Sequence, residues 1–131
     1  MTRKIGIIGL GHVGATLLHD LIAWQVFDSY VVIDKDEKKV ASDVLDMKDR
    51  VANTGYFADF VVNDYSALSD ADIVVSSLGN ILLQANAANS RFAELPFTSQ
   101  EVKDVSKKLV ASGFSGILIV ITNPVDVITQ L

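Results

Sequence analysis

The chain has 131 residues, 50% of them hydrophobic, with 11 Lys and Arg against 16 Asp and Glu and a formal net charge of -5. That is enough chain for one domain with a real core, while the acidic balance and scattered lysines exclude nucleic acid and anionic membrane as main partners and leave small molecules. There is no cysteine, and His12 and His19 are the two histidines, so no disulfide, thiolate nucleophile or metal site is expected.

Met1-Thr2-Arg3-Lys4 ahead of apolar residues has the outline of a secretory leader, but the glycines and His12 that follow interrupt it. Lys4 to Ile8 instead reads as a first strand that enters Gly9-Leu10-Gly11-His12-Val13-Gly14. A strand turning sharply needs one glycine, a diphosphate lying on the backbone needs a second without a Cβ, and a helix packed closely on a sheet needs a third. Gly9, Gly11 and Gly14 fit those roles. A helix beginning near His12 would turn its free N–H groups and positive dipole end toward the diphosphate. It continues from Val13 to Val26, with Leu17, Leu18, Leu21 and Ile22 at helical spacing. The second strand, Tyr30 to Asp34, closes on an acid twenty residues past Gly14. Asp34 would accept hydrogen bonds from the adenosine ribose hydroxyls, and its charge would repel a 2′-phosphate, so the expected cofactor is NAD rather than NADP. Lys35, beside it, either contacts a phosphate and softens that preference or is simply solvated.

Lys38 to Val51 repeats the helical device, with Val40, Val44, Leu45, Met47 and Val51 as its apolar stripe. A third strand is read at Asp59 to Asn63 and a fourth at Ile73 to Ser77, followed by Leu78-Gly79-Asn80. Thr98-Ser99-Gln100-Glu101 has the form of a capping box opening a third helix, with Val102, Val105, Leu109 and Val110 inward and Ser112-Gly113 as its end. The fifth strand, Ile117 to Ile121, is the longest strong apolar run, far short of the roughly twenty residues of a membrane helix. Pro124 to Leu131 reads as the first turns of another helix. Strands alternating with helices indicate an α/β, Rossmann-type parallel sheet of order 3-2-1-4-5, with its switch point between strands 1 and 4. Gly9 to Gly14, Gly79-Asn80 and Thr122-Asn123 would converge there. A full fold of this order has a sixth strand beside the fifth, without which Ile117 to Ile121 is an exposed apolar edge. Residues 1–131 are therefore expected to form one NAD-binding domain, truncated, with the sixth strand and the substrate domain missing.

The chain resembles the lactate and malate dehydrogenase family along its whole length, and within it the L-2-hydroxyisocaproate dehydrogenase branch. The resemblance is carried by Ile7 to Gly14, Asp70-Ala71-Asp72-Ile73-Val74-Val75, Leu78-Gly79-Asn80, Arg91-Phe92-Ala93-Glu94-Leu95, Ser112-Gly113-Phe114 and Thr122-Asn123-Pro124-Val125-Asp126. It implies that Gly9, Gly11, His12, Val13, Gly14, Asp34, Leu78, Gly79, Asn80 and Asn123 lie along the cofactor. Arg91 would be the catalytic loop arginine that closes over the substrate and polarises its carbonyl. Asn123 would touch nicotinamide and substrate together. Each has an ordinary alternative: a solvated loop arginine for Arg91, turn chemistry for Gly79 and Asn80, and a turn before proline for Asn123.

The loop from Gly79 to Arg91 is longer than the usual lactate dehydrogenase loop and lacks its Lys-Pro-Gly run. No basic residue occurs between Asn80 and Ser90, which disfavours a dicarboxylate substrate. Leu82, Leu83 and Gln84 favour a neutral side chain, as in branched 2-oxo acids such as 2-oxoisocaproate, with overlap toward pyruvate. The resemblance places the catalytic histidine, its aspartate and the carboxylate-binding arginine in a second half that this chain does not contain, so the chain alone is expected to bind NAD and turn over poorly or not at all. The whole protein is expected to be a cytoplasmic homo-oligomer that interconverts a 2-oxo acid and its L-2-hydroxy acid. The competing readings are an L-lactate dehydrogenase proper, a non-catalytic NAD-binding module, and a self-associating interaction protein.

Overall fold

The computed structural model describes residues 2–79, 95–122 and 125–131. In chain order it has β1 (Lys4–Ile8), α1 (His12–Trp24), β2 (Ser29–Ile33), α2 (Glu37–Ala52), β3 (Asp59–Val62), a 3-10 turn (Tyr65–Leu68), β4 (Ile73–Ser76), α3 (Leu95–Ala111), β5 (Ile117–Val120) and α4 (Val125–Ile128). The strands form one sheet of order β3-β2-β1-β4-β5, every neighbouring pair parallel. This is the Rossmann-like arrangement expected from the alternation of apolar runs and helical stripes.

The central strands read as continuous apolar runs because both faces of the sheet are covered. All five residues of β2 are buried. Alternation along each strand divides the core in two. Ile5, Ile7, Tyr30, Val32 and Val75 pack with Leu18 and Ile22 of α1 and with Val40, Val44, Met47 and Val51 of α2. On the other face Ile8, Val31, Ile33 and Val74 pack with Leu68 of the 3-10 turn and Leu109 of α3. At one edge β5 leaves Ile117, Leu118 and Ile119 exposed, and among the described residues no strand pairs with its outer side.

Several boundaries shift by a residue or two from the sequence reading, and three of the differences have a clear local reason. Helix α1 ends at Trp24 rather than Val26 because Gln25 adopts the left-handed conformation (φ 55) and its N–H turns back to the Ile22 and Leu21 carbonyls. Strand β3 stops before Asn63, which is also left-handed (φ 53). The capping box at Thr98 is a misreading. Helix α3 already begins at Leu95, with Pro96 in the first turn, where a missing N–H costs nothing. Thr98 and Glu101 are then one turn apart on an inner face, and both are buried.

Candidate functional site

The carboxyl ends of β1, β2, β3 and β4 open onto a cleft of about 560 Å³. Its wall includes Gly9, Gly11, Asp34, Asn63, Leu78 and Gly79. The site lies where the strand order reverses between β1 and β4, the place an open α/β sheet offers to a ligand.

The glycine turn is built from three different constraints. Gly9 has φ +95, and a β-carbon there would lie 2.8 Å from the Ser77 carbonyl oxygen. At Gly14 a β-carbon would overlap the Gly9 carbonyl oxygen and stand 2.7 Å from Ser77 Oγ, so α1 can sit this close to the turn only without a side chain there. Around the same position at Gly11 nothing among the described residues lies within 4 Å. Gly11 is also the N-cap of α1 and supplies no side chain to bond the first-turn N–H groups, which face an open cradle. A β-carbon at Gly11 would fill that space.

Asp34 is fixed from several sides. Its Oδ2 accepts from the Leu10 N–H at 2.6 Å and its Oδ1 from the Asp36 N–H at 2.8 Å, while its own N–H donates to Asn63 Oδ1 at 2.9 Å. Each carboxylate oxygen keeps further lone pairs for a ligand hydroxyl. Asp36 in turn caps α2, its side chain accepting from the Lys39 N–H.

The wall opposite Asp34 comes from α3 and the 3-10 turn. Glu101, Val105 and Lys108 of α3 line the cleft with Tyr65. Burial pushes the Tyr65 phenol above its ordinary pKa. Lys108 Nζ stands 5.5 Å from the Tyr65 ring centroid, a cation–π contact. Lys35 Nζ forms an ion pair with Glu101 Oε1 across the cleft mouth.

The structure thus brings Gly9, Gly11, Asp34, Leu78 and Gly79 onto one wall, with Gly14 directly behind the turn. His12 and Val13 stand at the exposed start of α1, where the His12 carbonyl accepts from Thr16 Oγ1 at 2.7 Å. Asn80, Arg91 and Asn123, and the loop between the first two, lie outside the described residues. Four residues take a part in the site that the sequence did not assign them, Thr122 among them although Thr122-Asn123 was expected at this edge. Ser77 Oγ donates to the Gly9 carbonyl at 2.7 Å and locks the turn onto β4. Thr122, which is buried, accepts from the Leu78 N–H at 2.9 Å and holds the end of β4 against the end of β5. Asn63 holds Asp34, and Glu101 holds Lys35. Asn63 had a local signal of its own, an Asn-Asp pair at a strand end, where asparagine tolerates a left-handed backbone.

Residues 3–131 match the family profile described as lactate/malate dehydrogenase, NAD binding domain. Among related sequences, the L-lactate dehydrogenase of Lactobacillus delbrueckii subsp. bulgaricus is 34% identical over 131 residues, covering 100% of this chain and 41% of that protein. That of Staphylococcus saprophyticus is 34% identical over 130 residues, covering 99% of this chain and 40% of the relative. Among solved structures, the minor L-lactate dehydrogenase from Enterococcus mundtii, determined with ligands bound, superposes with a TM-score of 0.86 at 28% identity, over 98% of this chain and 40% of that one. The chain spans about two fifths of the length of the relatives it matches.

Proposed function

The chain belongs to the lactate/malate dehydrogenase family, as its NAD-binding domain, and from that premise we propose that it is the cofactor-binding part of an NAD-dependent L-2-hydroxyacid dehydrogenase acting on a branched 2-oxo acid such as 2-oxoisocaproate. The observation that carries the cofactor assignment is the glycine cradle, where Gly11 is open to a ligand and Gly14 and Gly9 are closed against backbone. In this reading the first-turn N–H groups of α1 hold the diphosphate. Asp34, oriented by Leu10, Asp36 and Asn63, takes the ribose hydroxyls, and Leu78 and Gly79 flank the adenosine half. When the cofactor is bound, the chemistry it supplies is reversible hydride exchange at the 2-carbon of the acid.

Arg91 is assigned to the substrate carbonyl, where a guanidinium stabilises the charge that develops on oxygen as the carbonyl is reduced. Asn123 is assigned to the contact between nicotinamide and substrate. Proton transfer to the carbonyl oxygen needs an acid that this chain does not provide: both of its histidines, His12 and His19, lie on exposed positions of α1. The 131-residue chain by itself is therefore assigned NAD binding without turnover, and the whole protein is assigned to the cytoplasm as a homo-oligomer.

The branched substrate rests on the loop between Asn80 and Arg91, which has no lysine or arginine to pair a second carboxylate and carries Leu82 and Leu83. A second reading, L-lactate dehydrogenase proper, is favoured by the names of the relatives. NADH oxidation by the complete gene product with 2-oxoisocaproate, pyruvate and oxaloacetate separates them. The proposal expects kcat/KM to rank in that order, and a preference for pyruvate would replace the branched acid with the second reading. Fast turnover of oxaloacetate would overturn the argument from the uncharged loop.

A further inference from the structure

We propose that Glu101 is a specificity-determining residue for the dinucleotide: by engaging Lys35 it withholds from a 2′-phosphate the ammonium group next to Asp34, and so makes the site refuse NADP. The proposal rests on the assignment of Asp34 to the ribose. Among the described residues, the carboxylates on the cleft wall are Asp34, Asp36, Glu37, Glu101 and Asp104, and the cations are Lys35 and Lys108. Lys35 is paired with Glu101, and Lys108 stands over the Tyr65 ring. Both cations are thus already committed to protein groups.

The pairing is lopsided in a way that matters. The Lys35 side chain is 75% exposed, and taken alone it would be a weakly held surface lysine. Glu101 is 8% exposed, and a carboxylate so far removed from water strongly resists losing its counter-charge. A 2′-phosphate that recruited Lys35 would strip Glu101 of that partner and at the same time bring its own negative charge against Asp34. Lysine next to the ribose-binding acid is the residue type that could admit NADP, and the glutamate on α3 cancels it. Asp34 refuses the phosphate by repulsion, and Glu101 does so by removing the attraction that would have offset it.

The test compares binding of 5′-AMP and adenosine 2′,5′-bisphosphate to the full chain by calorimetry. In Glu101→Gln, which keeps the side-chain shape, affinity for the bisphosphate relative to 5′-AMP should rise tenfold or more, a shift of about 1.4 kcal/mol. The gain should shrink steeply with salt and vanish in the double variant Glu101→Gln with Lys35→Gln. A ratio that moves less than threefold while 5′-AMP still binds overturns the proposal. Lys35→Gln alone reads the same pairing without altering α3. Bisphosphate affinity changing less than threefold is expected, whereas a tenfold fall would mean that Lys35 already serves the phosphate and would overturn the assignment even if Glu101→Gln failed to fold. Failure of the parent chain to bind 5′-AMP would bring down the cofactor site itself, a distinct result from either.

Discussion

Alanine at Gly14 and alanine at Gly11 should separate folding from binding, because a β-carbon meets opposite surroundings at the two positions. At Gly14 it would overlap the Gly9 carbonyl oxygen and stand 2.7 Å from Ser77 Oγ. Alanine gains about 1 kcal/mol over glycine in helix propensity. Overpacking costs about 1–3 kcal/mol, and the upper end applies here, since the obstacle is backbone and no rotamer change relieves it. The net expectation is a loss of about 2 kcal/mol, a fall in Tm of roughly 6–10 °C for a domain of this size. At Gly11 nothing among the described residues lies within 4 Å, and the backbone angles, φ -65 and ψ -162, suit any residue. Alanine there loses about 0.5–1 kcal/mol as a poorer N-cap, but its methyl group fills the cradle. NAD affinity should fall tenfold or more, at least about 1.4 kcal/mol. Scanning calorimetry gives the first quantity and titration calorimetry with NAD the second. Gly11→Ala binding NAD as tightly as the parent, or Gly14→Ala melting at the parent temperature, would refute the division of labour drawn from the turn.

Two further outcomes follow from groups near the cleft and in the core. Asn63→Ala should cost about 2 kcal/mol, of which about 1 comes from the left-handed backbone (φ 53) and about 1 from the lost bond to the Asp34 N–H; Asn63→Gly should recover the backbone part in urea melts, and equal losses in the two variants would discount the conformational argument. Tyr30 is fully buried, its hydroxyl 3.1 Å from that of Tyr56, and burial first and the Tyr56 bond second push its phenol far above the ordinary value. A folded-state pKa raised above the unfolded value of about 10 stabilises fully below that pH and is lost as pH rises beyond it. Tm should hold steady to about pH 9.5 and then fall. The alkaline limb should be shallower in Tyr30→Phe, and identical limbs in the two proteins would remove Tyr30 as its source.

What could be read from the sequence were the features encoded in neighbouring residues. The strands showed in runs such as Ile5 to Ile8 and Tyr30 to Ile33, and the cradle in glycines whose spacing is itself the structural requirement. The α3 start was misread because the pattern Thr98-x-x-Glu101 fits two physical situations equally well. A threonine and a glutamate three residues apart are reciprocal caps if the helix begins between them, and they are two inward neighbours if it began a turn earlier. Pro96 was the available cue to the second case. The pairings among the remaining site residues were invisible for another reason. Ser77 meets Gly9 across 68 residues of chain and Thr122 meets Leu78 across 44, and although Gly9, Leu78 and Thr122 lie in legible motifs, no local pattern pairs them with these partners. The same holds for Lys35 and Glu101. From sequence, Lys35 had two open meanings, a phosphate contact or a solvated charge. The structure adds a third in which it is answered by an acid from the far side of the sheet order. In the proposed reading a glycine fingerprint with its acid marks where a dinucleotide lies, and the proposed choice between NAD and NADP also depends on charges that only the fold brings together. In this chain that places the relevant substitution on α3, outside the fingerprint altogether.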